Sequence, residues 1–185
     1  MLQHAPLAAS PWVQRWTPLL AAGASVLDVA CGSGRHLRWF AERGHPVCGV
    51  DRDITAATLA LGPLAELIQA DLETGPWPLA GRRFDALVVT NYLWRPLLPT
   101  LLQSLQPGGL LIYETFASGN EQYGRPARPE FLLQTAELLQ ICAEMHVVAY
   151  ENGLLTAPPR VVQRIAAFTP HLPDGTPQAA WRHPL

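Results

Sequence analysis

Short apolar runs alternate with helix-length segments along this chain. Ser25–Ala30 (SVLDVA) is β-branched and ends in a Gly-containing loop, as a buried parallel strand does. Arg35–Arg43 follows as a helix that Gly44 stops. Pro46–Val50 reads as a second strand ending at Asp51, and Ile54–Leu61 as a helix stopped by Gly62-Pro63. Leu64–Ala70 is a third strand, weak by propensity, and the Gly- and Pro-rich stretch Leu72–Arg83 is a loop. Phe84–Thr90 (FDALVVT) is a strong fourth strand. Arg95–Leu105 reads as a helix with Pro96 in its first turn, where proline is tolerated. Gln106–Gly109 is a turn, Leu110–Phe116 (LLIYETF) a fifth strand and Ala117–Pro129 a long polar loop. Glu130–Cys142 is expected to be a helix, with Leu132, Leu133, Leu138 and Leu139 on one apolar face. Met145–Glu151 and Val161–Thr169 are two more strands.

Alternating strands and helices predict an α/β fold: a doubly wound, mostly parallel sheet with helices on both faces. The connection Asn152–Arg160 is too short for a helical crossover, so the last two of the seven strands should pair antiparallel. The chain divides into an N-terminal segment, 1–22, with a helix over Pro11–Ala22, a domain over 23–169, and a Pro-rich tail over 170–185. Trp12 and Trp16, four apart on that first helix, either roof a ligand or pack on the sheet.

Composition narrows the reading. Apolar residues make up 49% of the 185 residues and charged ones 15%, which argues for a sizeable core and against disorder. A formal net charge of −2 argues against a broad nucleic-acid surface. Every basic residue is Arg, which excludes a Schiff-base lysine and a Walker-type phosphate loop. Cys31, Cys48 and Cys142 have neither a disulfide pattern nor metal-ligand spacing, so no metal is expected. The N-terminus lacks the charged and apolar regions of a secretory signal, and no apolar run spans a membrane. A cytoplasmic location is the expectation.

The chemistry concentrates in Val26–His36, VLDVACGSGRH. An acid, Asp28, sits inside the first strand, then a tight turn holds Gly32 and Gly34, then a helix begins. In open α/β sheets this switch point is where ligands bind. A dinucleotide fingerprint needs a third Gly at position 37, which is Leu37, and Asp28 would repel a pyrophosphate. A ligand bearing an amino group and a sulfonium would welcome it, and S-adenosylmethionine (SAM) is such a ligand. Asp51 ends the second strand, where an acid accepts from both ribose hydroxyls, and Asp71 ends the third, where one accepts from the adenine amine.

Asp28-Val29-Ala30-Cys31-Gly32-Ser33-Gly34, then Asp51, then Ala70-Asp71, resemble the first three motifs of the class I SAM-dependent methyltransferases. Phe84-Asp85-Ala86 through Thr90-Asn91-Tyr92 resembles their fourth, and LQPGGLL at Leu105–Leu111 the turn and strand after it. The usual first motif has Gly where this chain has Ala30. The likeness runs from about Ala22 to Thr169, and the fold it implies is the Rossmann-like sheet just described. It implies that Asp28, Gly32 and Gly34 contact the methionine part of SAM, with Ala30 and Cys31 also among the cofactor-binding residues and S-adenosylhomocysteine (SAH) as product. It also implies that Asp51 and Arg52 hold the ribose, Asp71 and Leu72 the adenine, and that Thr90 and Asn91 lie beside the sulfonium. Cys31 is then a packing residue. His36 either faces the cofactor carboxylate or the substrate, or is a structural histidine.

Methyl transfer is an in-line displacement, in which positioning does most of the work. Asn91, Tyr92, Trp94 and Arg95 after strand four, and Tyr113, Glu114 and Phe116 on strand five, would shape the acceptor pocket. Glu114 interrupts an apolar strand, so it is either a structural ion pair with Arg95 or Arg125, or a substrate-facing base or clamp. Tyr123, Arg125 and Arg128 either bind an anion or merely solubilise a loop. The catalytic set expected from this reading is Asn91, Glu114, Arg95 and Tyr123. NYLWRPL and YETFASGNEQYGRP resemble small bacterial methyltransferases of the tellurite-resistance and thiopurine-methyltransferase kind, which implies a small, soft or anionic acceptor. RNA or protein methylation, and a non-catalytic SAM-binding partner subunit, are the competing readings. The sequence does not fix the oligomeric state.

Overall fold

The computed structural model describes residues 7–170. The 170–185 tail beyond Pro170 and the first six residues lie outside them. Seven strands form one sheet: β1 (Val26–Val29), β2 (Val47–Asp51), β3 (Glu66–Gln69), β4 (Phe84–Thr90), β5 (Leu105–Phe116), β6 (His146–Thr156) and β7 (Pro159–Phe168). Their order is β3-β2-β1-β4-β5-β7-β6. The first five are parallel, β7 joins β5 antiparallel, and β6 closes the edge antiparallel to β7. The chain order reverses between β1 and β4, which makes a crevice at their C-terminal ends.

Strand periodicity sorts the core into two layers. Val26, Val88, Ile112 and Ala166 face α1 (Pro11–Trp16), α2 (Arg35–Ala41) and α3 (Thr55–Leu61), and pack on Trp12, Leu37, Phe40 and Leu61. Leu27, Leu87, Leu111 and Ile165 face α4 (Leu98–Gln103) and α5 (Glu137–Ile141), and pack on Leu101 and Leu138. Each fully buried Leu contributes about 1.5–3 kcal/mol over an exposed one. Gly49 lets α2 lie close on β2, since a Cβ there would come 2.5 Å from Leu37 Cδ1 and 2.9 Å from Cys31 Sγ. Trp12 and Trp16 pack on the sheet rather than over the crevice. Trp12 is 1% exposed and its Nε1–H donates to the Ile165 carbonyl at 3.2 Å.

Several elements differ from the sequence expectation: the helix expected over Pro11–Ala22 is α-helical only to Trp16, and the one expected over Arg95–Leu105 opens as a 3-10 turn and gives Leu105 to β5. The helix over 130–142 shrinks to α5 because Leu132 and Leu133 run extended: Leu133 donates to the Phe116 carbonyl and accepts from the Ser118 N–H. Both leucines are thereby buried, which outweighs helix propensity. The expected turn at Gln106–Gly109 is a bulge inside β5, where the register against β4 jumps from Phe84↔Leu105 to Ala86↔Leu110. The last hairpin is longer than expected, with strands reaching Thr156 and Pro159 around the tip Ala157-Pro158. Proline is acceptable as the first residue of β7.

Candidate active site

The turn after β1 is built on left-handed backbone. Ala30 has φ 54°, a conformation that costs a non-glycine residue about 1–2 kcal/mol, and Gly32 has φ 54°. At the end of β4, Asn91 has φ 55°, and its N–H donates to the Glu114 carbonyl. Two such residues at adjoining strand ends mark the crevice as a place where backbone strain is held for use. Asp51 ties the turn to β2: its Oδ2 accepts from the Gly32 N–H at 2.8 Å and its Oδ1 from the Asp53 N–H at 3.0 Å. Each oxygen keeps a further lone pair for a ligand hydroxyl.

A cleft of about 330 Å³ opens here, lined by Ala30, Asp51, Arg52, Asp71, Leu72 and Tyr92 among others. The Asp71 carboxylate is spent on its own turn. It accepts from the Thr74 hydroxyl at 2.7 Å and from the Glu73 N–H at 2.9 Å, and these bonds hold its carboxyl below the usual range. The flat walls are therefore the backbone of 71–73, the Leu72 side chain and Tyr92, whose buried hydroxyl has no partner among the described residues. Burial raises the Tyr92 phenol, with Glu73, Asp71 and Asp51 adding to the shift, so it stays a donor.

At the inner end of the crevice, Asp28 is 1% exposed and its Oδ2 has no hydrogen-bond partner among the described residues. His36 Nδ1 lies 3.6 Å from that oxygen, and His36 Nε2 is also buried and unpartnered. A buried carboxylate oxygen left open calls for a positively charged donor, which the ammonium end of SAM supplies and a pyrophosphate does not. Gly32 has nothing within 4 Å of where a Cβ would stand, so a ligand can approach its backbone. The residues present thus fit the expected cofactor. Gly34 differs: an added Cβ would come 2.7 Å from Leu61 Cδ1 and 3.3 Å from Ala57 Cβ, so its smallness serves the contact of α2 with α3. Burial, with Asp28 and Asp51 adding to it, pushes the Cys31 thiol far up, as suits a packing residue.

A cross-strand row of polar side chains lies farther along the sheet. Thr90, Glu114, Arg164 and Glu151 stand directly opposite one another on β4, β5, β7 and β6. Glu114 is 1% exposed and accepts from Ser10 Oγ at 3.0 Å and from Arg164 at 3.3 Å, with Arg160 at 3.7 Å. The expected partners, Arg95 and Arg125, are thus replaced by Arg164 and Arg160. Arg164 also grips Glu151. A second cavity of about 590 Å³ lies beside Glu114, between the α1 segment, Arg35 of α2 and the β6–β7 hairpin.

Not every expected residue gathers here. The guanidinium of Arg95 is committed to Glu137 at 2.7 and 2.9 Å and to the carbonyls of Glu130 and Leu132. Tyr123 is 46% exposed in the loop after β5. Arg125 and Arg128 line a separate surface hollow with Phe131, and Arg128 pairs with Glu130. Arg52 is exposed beside Asp51, while Thr90 is buried at the end of β4. Ser10, Arg35, Arg160 and Arg164 escaped the sequence reading. The pairing of Glu114 with Arg164 is visible only once the β5–β7 register is known.

Comparison with known proteins places this geometry. Residues 26–109 match the methyltransferase-domain family. No protein of curated function matches the sequence. TehB of Haemophilus influenzae superposes with a TM-score of 0.70 at 16% identity, over 85% of this chain and 61% of that one. A SAM-dependent methyltransferase of Methanosarcina mazei gives 0.69 at 18% identity, over 90% and 100%. The 1,6-didemethyltoxoflavin-N1-methyltransferase of Burkholderia thailandensis, solved with 1,6-didemethyltoxoflavin and SAH bound, gives 0.65 at 18%, over 86% and 77%. At these identities the structures establish the fold.

Proposed function

We propose that this chain, a SAM-dependent methyltransferase by domain and by fold, transfers a methyl group to a small-molecule acceptor. The observation that carries the acceptor class is the cavity of about 590 Å³ beside Glu114, a size that suits a small molecule. When bound, SAM supplies a methyl group already activated on a sulfonium. The chain's own task is to bind, orient and exclude water. Asp51 takes the ribose hydroxyls on its spare lone pairs, Leu72 and Tyr92 flank the base, and Asp28 meets the ammonium. Thr90 and Asn91 end β4 between the two cavities' residues and set the acceptor against the methyl group. Glu114, held by Ser10 and two arginines, fixes the acceptor wall. Both of its carboxylate oxygens are already engaged by these partners, which favours an acceptor atom that is soft or already ionised and needs no general base. Residues 23–169 constitute the catalytic domain in this reading, and the α1 segment walls the acceptor cavity.

Calorimetric titration with SAH, with NAD as control, tests the cofactor. Micromolar binding of SAH alone is expected, and binding of NAD or of neither overturns the reading. Label from tritiated SAM should then enter an acid-soluble small molecule. Incorporation only into RNA or protein would overturn the acceptor class.

A further inference from the structure

The cavity beside Glu114 carries an imbalance of charge. Arg35, Arg160 and Arg164 line it together with a single carboxylate, Glu114. Arg164 is divided between Glu114 and Glu151. Arg160 has only its 3.7 Å contact with Glu114, and its Nε is buried without a hydrogen-bond partner among the described residues. Arg35 is partly buried and forms no hydrogen bond or ion pair among the described residues. Burial weakens its hold on its proton, Asp28 and Glu114 partly restore it, and Arg160 opposes it. Withdrawing guanidiniums from water with too few counter-charges is costly, and in this cavity Arg35 has no ion pair among the described residues while Arg160 and Arg164 share the one carboxylate of Glu114. Planar forks of this kind match the two oxygens of a carboxylate. The remaining wall is largely apolar: Ala9, Pro11, Leu155 and Pro158 would cover a hydrocarbon body rather than a bare inorganic ion.

We infer that this cavity holds the carboxylate of a small organic acid between Arg160 and Arg35, with its carbon skeleton against Leu155 and Pro158. That the acid is the methyl acceptor rests on the function proposed above; that the cavity binds it does not. The same carboxylate chemistry could come from the methionine end of the cofactor, and the test separates the two sources.

Benzoate and 3-methylbutanoate, each against its own amide, are titrated into the SAH-saturated protein. The acid is expected to bind about tenfold tighter than the amide, the scale of a charge-assisted hydrogen bond. Arg160→Gln and Arg35→Gln should each erase that ratio while leaving SAH affinity unchanged, and Arg160→Lys should retain part of it. Equal binding of acid and amide to the wild type overturns the inference. So does a ratio that survives in both glutamine variants. A large loss of SAH affinity in either variant overturns it too, by assigning the guanidiniums to the cofactor's carboxylate. Sulfate competing as well as the organic acids would reject the organic body. If SAH does not bind the wild type, the methyltransferase reading fails. The ratio of acid to amide on the protein alone then still decides the carboxylate site.

Discussion

Asp51 does two jobs with one carboxylate. It anchors the Gly32 turn through backbone N–H groups and keeps lone pairs facing the cleft. Asp51→Ala should weaken SAH binding by about 1–3 kcal/mol, read by calorimetry. Unchanged affinity would place the ribose elsewhere. Glu114 is the opposite case, a carboxylate whose surroundings are entirely committed. Glu114→Gln leaves Arg164 and Arg160 facing a neutral amide. The partners are partly exposed, so the loss should be about 2–3 kcal/mol, or roughly 5–10 °C in Tm, with SAH affinity held. A Tm equal to wild type would show that the row does not hold β5 to β7. The positions of the three acids were legible in the sequence from their combination with the Gly turn, since a strand-end Asp alone is common, and they fall inside β1, at the end of β2 and just after β3. Which of them faces a ligand was not legible. Asp71 turns onto Thr74 through bonds within its own loop, and no spacing rule announces that.

At the scale of elements, what could be read was what periodicity governs. The strand Phe84–Thr90 and the antiparallel pairing of the last two strands followed from apolar runs and a short connection. The segment 129–137 did not, because its shape is set by distant partners. Arg95, at the start of the helical stretch after β4, clamps Glu137 and the carbonyls of Glu130 and Leu132. Gln163 of β7 accepts from the Leu138 N–H at the first turn of α5. Leu132 and Leu133 could therefore be buried without a helix. The clamp has a pH signature. Burial works against the charge on Glu137, yet Arg95 and the Gln134 N–H outweigh it and hold the carboxyl below its usual range. A depressed folded pKa means this stabilisation is complete above the unfolded value, about 4.5, and fades as pH falls through the folded one. Chemical denaturation between pH 5 and about 3 should show a shallower acid loss in Glu137→Gln than in wild type. Parallel slopes would mean that the clamp is not coupled to folding.

The whole molecule buries all three of its cysteines. Burial raises each thiol, that of Cys48 to about 11, so at pH 8 the folded protein presents almost no thiolate. A disulfide-exchange reagent should therefore titrate none of them in native buffer within minutes and all of them in denaturant. Rapid native reaction would show that the region around Cys31 and β2 opens readily. The two cavities also fall in different parts of the chain. The cleft lined by Asp51 and Tyr92 lies within residues 26–109, the stretch that matches the methyltransferase-domain family. Most of the cavity beside Glu114 comes from residues 8–14 and from the β6–β7 hairpin, both outside that stretch. That hairpin stands at the sheet's edge, paired to the rest of the sheet through β7 alone. A duplicated copy of this protein could thus change what the cavity beside Glu114 accepts by rewriting a dozen residues at one margin, while the cleft at the β1–β4 crevice is inherited intact.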